Sequence, residues 1–243
     1  YSFVSYTAKE RDNHNYSRAR KVACLRSFFK YLHTKSKIID TNPTIELEPP
    51  KISSRQPIHL NIDDSKALLE SISGTYKERD YAILVLFLNC GLRLSELVSI
   101  NIDNIDGDVL RVIGKGNKER TVYLNKACIN AIKNYLKVRK HDSVKLQDRK
   151  ALFVSQQNNR ISPRTVQVIV KKYIKAAGLD DTKYSTHKLR HTAATLMYKH
   201  GNVDIRALQQ LLGHKSVATT QIYTHIDDER LRQAIKANPL SEE

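Results

Sequence analysis

Tyr76–Leu124 reads YKERDYAILVLFLNCGLRLSELVSINIDNIDGDVLRVIGKGNKERTVYL, and its hydrophobic period changes along its length. Tyr76–Asn89 predicts a core helix, because its apolar stretch, Tyr81–Cys90, is about ten residues, longer than a strand and shorter than a membrane span. Gly91 follows where a left-handed cap residue is wanted, and Leu92–Ser99 restarts at once as a short helix. Beyond Ile100 the period shortens. Asn101–Ile105, Val109–Ile113 and Glu119–Leu124 read as short strands, joined by Asp106-Gly107 and by Gly114-Lys115-Gly116-Asn117. A small antiparallel sheet inside a helical chain is the expectation.

The flanking sequence is helical almost throughout. Asp63 or Asp64 is a candidate cap for a helix reaching about Ser73, and Asn125 for one reaching about Lys140. After a polar loop at 142–150 and a brief extended piece at 151–155, Ser162-Pro163 combines an N-cap with a first-turn proline. That helix closes at Gly178. Further helices are expected over 186–200, 203–212, 216–223 and 227–237. The fold class is therefore mainly α with a small antiparallel β-sheet (α+β).

Upstream, Asn15–Thr34 places Ala19, Val22, Leu25, Phe28, Phe29 and Leu32 on one helix face and Arg18, Lys21, Arg26 and Lys30 on another. Ser36–Pro57 then loses its period and carries Pro43, Pro49, Pro50 and Pro57, the pattern of an interdomain linker. Two regions follow: residues 1–56, a helical domain with linker, and residues 57–243.

Forty-one Lys and Arg against 25 acids leave a net charge of +16, with a pI near 9.7. Residues 1–56 alone hold eleven basic and five acidic residues, so both regions are basic. Such an excess points to a polyanionic partner, nucleic acid before an acidic membrane surface. No apolar run reaches 18 residues, and Tyr1–Glu10 lacks the basic start of a signal peptide. The chain opens on Tyr1 rather than Met, which reads as a trimmed N-terminus. Cys24, Cys90 and Cys128 lie far apart within helical patterns and read as buried thiols in a reducing compartment.

Reactive side chains concentrate in Ser185–His225. His187 and Arg190 are three apart and share a helix face. His214 follows Gly213, and Tyr223 comes nine residues later. His187 and His191 are four apart, but a helical zinc-hydrolase motif needs Glu after the first His, and Lys188 is there. Gly114–Thr121, GKGNKERT, is glycine-rich but lies between strands with the wrong spacing for a nucleotide-cradling loop. Any phosphoryl chemistry would then do without nucleotide energy, and a tyrosine acting as covalent nucleophile meets that condition. A phenol of pKa ~10 needs a base or cationic help, the phosphoryl oxygens need guanidinium forks, and the leaving oxygen needs a proton. Tyr223, two arginines, Lys115 on a hairpin tip and two histidines are the parts that chemistry requires.

Five segments carry a resemblance: CGLRLSEL (Cys90–Leu97), GKGNKER (Gly114–Arg120), HKLRH (His187–His191), LLGH (Leu211–His214) and TTQIYTH (Thr219–His225). In order and separation they resemble the tyrosine recombinases of the integrase family, of the Xer type found in bacteria. The likeness runs through the chain, and RARKVACLRSFFKYL resembles the end of that family's N-terminal DNA-clamping domain, which implies that an initial helical portion of that domain is not included. It implies a catalytic domain over 57–243 with Tyr223 as nucleophile, forming a 3′-phosphotyrosyl link. Arg93 and Arg190 would clamp the scissile phosphate, Lys115 would protonate the leaving 5′-oxygen, and His187 would act as general base or acid. His214 would hydrogen-bond the phosphate, and Glu96 would orient Arg93.

The resemblance also implies no cofactor, double-stranded DNA bearing a specific site as partner, and a Holliday-junction pathway. A tetramer of one chain, or with a paralogue, would perform it in the bacterial cytoplasm, at the nucleoid. The last helix, with Leu231, Ala234 and Ile235 on one stripe, would dock into a neighbouring subunit. Arg18, Arg20, Lys21, Lys118 and Arg120 are candidate phosphate contacts. Taken singly, each site residue has an ordinary reading, such as a capping cation for Arg93 or a core-edge aromatic for Tyr223. A type IB topoisomerase and a non-catalytic DNA-binding regulator are the competing functions.

Overall fold

A computed structural model describes residues 2–51, 58–114, 116–139, 148–201 and 203–213. The chain divides into two compact units, Tyr1–Arg55 and Gln56–Glu243. In the first, α1 (Ser2–Lys9) packs on α2 (Asn15–Thr34). The α2 bounds match the sequence reading, whereas α1 was not among the expected helices. Of the apolar stripe on α2, only Ala19 and Val22 are buried, and Phe28 is 53% exposed. Cys24 is exposed too, contrary to its reading as a buried thiol. Arg20 is exposed, while Arg18 and Lys21 are half-buried.

The second unit is built around α4 (Lys77–Cys90), which packs against α3 (Ile62–Glu70), α6 (Lys126–Val138), α7 (Pro163–Ala176) and α8 (Thr186–His200). Every residue from Ala82 to Leu88 is buried, as an all-round apolar helix requires. At its N-terminal end Arg79 pairs with Asp80 at 2.8 Å, and Tyr173 donates to Asp80 at 3.0 Å. This satisfies two buried charges inside the core. Its C-terminal end is Gly91, with φ +58°. A Cβ there would come within 2.9 Å of Leu212 Cδ2 and 3.5 Å of Ala193 Cβ. Gly91→Ala is therefore expected to lower unfolding stability by about 1–2 kcal/mol, the cost of the left-handed conformation, read as a reduced urea midpoint at unchanged slope.

After α5 (Leu94–Ser99) the expected first strand is mostly absent. Asn101 and Asn104 cap each other, with Asn101 N–H donating to Asn104 Oδ1 at 2.8 Å, and Ile102–Asn104 becomes a 3₁₀ turn. Only Ile105–Asp106 remains as β1, paired antiparallel with β2 (Val109–Ile113). β3 (Glu119–Tyr123) completes the sheet in the order β1-β2-β3. Leu110, Val112 and Val122 are buried beneath it.

Several caps are those expected. Asn125 accepts from Cys128 N–H and Ser162 from Thr165 N–H, each at 3.0 Å. For α3 the cap is Asn61, which accepts from Asp64 N–H, so Asp63 and Asp64 lie within the first turn instead. Val154 and Arg160 form a bridge beyond the loop, and Ala151 bridges Asn101. Arg160 donates to Val98 and Ile100 carbonyls and to Asp148, fixing the end of α5. The last helix among the described residues is α9 (Ile205–Leu212), capped by Asp204, on α8. Cys90 and Cys128, distant in sequence, bring their sulfurs to 3.7 Å. Among the described residues no helix is long and apolar enough to cross a membrane. The helices expected over 216–223 and 227–237 lie outside the described residues.

Candidate active site

Glu96 is the centre of the site. It sits on the first turn of α5 with no solvent exposure, and three arginines from three elements converge on it. Arg93, the N-cap of α5, donates its backbone N–H to Oε2 at 2.8 Å and its Nη1 to Oε1 at 2.7 Å. From β3, Arg120 donates Nη2 to Oε2 at 2.9 Å. Arg190, from α8, brings Nη1 to within 3.9 Å. Burial pushes the Glu96 carboxyl up, but the hydrogen bond and charge of Arg120, with the Arg93 bonds, outweigh it and hold the carboxyl below its usual range. Glu96 is thus the fixed anion that allows three guanidiniums to gather.

The same arginines reach the end of α9. Arg120 donates to the carbonyl of Leu211, Arg190 to that of Leu212 at 2.6 Å, and Arg93 to that of Gly213 at 2.7 Å. Three consecutive carbonyls at a helix C-terminus lack intrahelical partners and carry the negative end of the helix dipole, so cations suit them. Arg190 also donates to the carbonyl of Gly91. Gly213 takes φ +62°, and a Cβ there would lie 2.8 Å from Arg120 Cδ.

Arg93 and Arg190 line a cleft of about 550 Å³ with Leu92, Leu94, Ser95, Pro163, Thr186 and His187. Arg93 keeps 30% side-chain exposure, whereas Arg190 keeps 4%. Their positions follow from local structure: Gly91 turns the chain so that Arg93 caps α5, and α8 carries Arg190 one turn from His187. The exposed His187 stands on the first turn of α8, its ring edge-on to that of His191 at 4.5 Å between centroids. Partial desolvation, then the charges of Arg190, Lys188 and Arg93, lower its pKa below the ordinary histidine value. That shift favours the neutral imidazole, the form with a lone pair to offer.

The structure thus brings Arg93, Glu96, His187 and Arg190 together. Lys115, His214 and Tyr223 lie outside the described residues. Lys115 and His214 adjoin described residues in sequence: Gly114, whose N–H donates to Lys118 carbonyl at 2.8 Å across the hairpin turn, and Gly213, which ends α9. Lys118 is exposed. Arg120, expected on a phosphate, is 12% exposed and turned inward onto Glu96 and Leu211. A signal for this is present in the sequence, because in β3 Arg120 alternates onto the same face as the buried Val122. Among the described residues no three His, Cys, Asp or Glu side chains are grouped to hold a metal.

The sequence pattern of the phage integrase family matches residues 59–230. The tyrosine recombinase XerC of Caldanaerobacter subterraneus subsp. tengcongensis is 63% identical over 243 residues, which are all of this chain and 68% of that protein. The crystal structure of XerA recombinase is 34% identical, with a TM-score of 0.64 over 97% of this chain and 80% of that one. XerH site-specific recombinase bound to palindromic difH substrate, in a post-cleavage complex, has the same fold. There the TM-score is 0.76 at 24% identity, over 97% of this chain and 71% of that one. With Arg93 and Arg190 facing one cleft beside His187, and with these likenesses spanning both units, the chain belongs to the phage integrase family and is a Xer-type tyrosine recombinase.

Proposed function

We propose that the protein cleaves and rejoins DNA at a specific site through a 3′-phosphotyrosyl intermediate and a Holliday junction. The observation that carries this reading is the convergence of Arg93, Arg190 and His187 on one cleft. In the reaction, Tyr223 Oη forms a bond to phosphorus while the bond from phosphorus to the 5′-oxygen breaks. His187 receives the phenolic proton and Lys115 supplies one to the leaving oxygen. Arg93 and Arg190, with His214, stabilise the charge on the non-bridging oxygens. Energy is conserved in the ester, so rejoining needs no cofactor.

The family assignment supports a clamp in which residues 1–56 and 57–243 hold the duplex from two sides. Arg18, Arg20, Lys21 and Lys118 would contribute to a salt-sensitive phosphate interaction. A tetramer, of one chain or with a paralogue, would perform paired strand exchange, with the segment after Asp227 docked on a neighbouring subunit. The bacterial cytoplasm, at the nucleoid, is the setting this reading implies. Relatives named as recombinases favour it over a type IB topoisomerase or a non-catalytic regulator.

The test is adduct mapping. The protein is incubated with nicked duplex from the neighbourhood of its own gene, digested, and the DNA-linked peptide is sequenced by mass spectrometry. Attachment of Tyr223 to a 3′ end, with a 5′-hydroxyl released, is expected. A different residue, attachment at a 5′ end, or binding without any adduct overturns the proposal.

A further inference from the structure

We infer that Arg120 is a positioning residue for this reaction, fixing the end of α9 and Glu96 so that Arg93 and Arg190 are aimed into the cleft. The inference rests on the proposed function above. Arg120 lies on β3 opposite Val112 in the hairpin register, and its guanidinium leaves the sheet to meet both Glu96 and the Leu211 carbonyl. The two arginines of the cleft depend on the same two anchors: Arg93 holds Glu96 and Gly213, and Arg190 holds Leu212 and approaches Glu96.

Arg120 thus supplies the third side of a frame around the cleft without lining it. The packing gives it little freedom. Gly213 admits no Cβ beside Arg120 Cδ without displacement, and Gly114 lies close enough to Glu96 that a Cβ would meet Oε1 at 3.4 Å. A lysine in its place would keep the charge and lose the planar fork, so it could not hold carboxylate and carbonyl together. The frame would then shift under Arg93 and Arg190 by a fraction of a side chain. Misplacement of about 1 Å in a catalytic group costs on the order of 10²-fold in rate.

A residue that merely contacted DNA would act on affinity, and one that merely supported the hairpin would act through Lys115. Three measurements on the full chain separate these roles. They are DNA affinity, single-turnover adduct formation on nicked duplex, and the same rate on duplex whose scissile 5′-oxygen is replaced by sulfur. A thiolate leaves without a proton, so the sulfur substrate removes the need for Lys115.

For Arg120→Lys we expect affinity unchanged within about threefold and an adduct rate lower by about 30- to 100-fold, with an equal deficit on the sulfur substrate. Gly213→Ala, which retains Arg120 and pushes on its Cδ, should show the same signature, and a urea midpoint measured for each variant guards against one that simply misfolds. Full-rate cleavage by both variants, a deficit confined to affinity, or recovery on the sulfur substrate would each overturn the inference. Wild-type protein that forms no Tyr223 adduct would instead refute the underlying reaction.

Discussion

Arg190→Ala is expected to slow adduct formation by about three orders of magnitude at saturating DNA, the scale seen when a preorganised donor to a developing anion is removed. Arg190 is 4% exposed, bonded to the Gly91 and Leu212 carbonyls, and set beside His187 at the cleft. The phosphate would therefore meet a guanidinium already oriented by backbone, with no reorganisation needed at the moment of reaction. Alanine also strands those two carbonyls, at about 1–3 kcal/mol for each group left buried without a partner. Stability must accordingly be measured alongside rate. Arg190→Lys separates the effects: it keeps a cation and satisfies one carbonyl, but it has no fork for two phosphoryl oxygens. A rate for either variant within threefold of wild type would remove Arg190 from the phosphate.

The second large effect is on stability. Glu96→Ala is expected to lower unfolding free energy by about 3–5 kcal/mol, because it leaves clustered guanidiniums without their anion. Denaturant titration would show this as a reduced midpoint at unchanged slope, and an unchanged midpoint would contradict the central role given to Glu96. The same carboxylate predicts a pH dependence. Its folded pKa lies below the unfolded value, so the unfolded chain binds the proton more readily. The stabilisation is complete above the ordinary glutamate pKa of about 4.3 and is lost as pH falls through the lower folded value. Glu96→Gln should remove that acid slope while losing stability at neutral pH.

Much of the fold was legible because the local signals are self-contained. Asn125, Ser162 and Gly91 terminate helices through groups within four residues of themselves. Arg93, His187 and Arg190 were visible through short motifs, and their convergence required only that α5 and α8 meet beside α4. What escaped depended on partners distant in sequence or on reciprocal side-chain bonds. Asn101 and Asn104 look like strand edge residues until they cap each other. Cys90 and Cys128 carry no spacing that announces their contact. The inward bonds of Arg120 escaped as well, although it was expected on a phosphate. Its strand alternation pointed inward, and its partners Glu96 and Leu211 lie on either side of it by 24 and 91 residues.

The central helix has a further consequence, for how such a protein can change. From Ala82 to Leu88 no side chain of α4 has a solvent face on which substitutions are neutral. Each position there admits only replacements of similar volume and polarity, and a change in one strains several neighbouring helices together. By contrast α6 and α7 each present an outer face, with Val168 56% exposed and Val138 55% exposed. Sequence drift and laboratory retargeting alike would therefore be accommodated on the outer helices and the hairpin, around an inner post whose composition is nearly fixed by geometry.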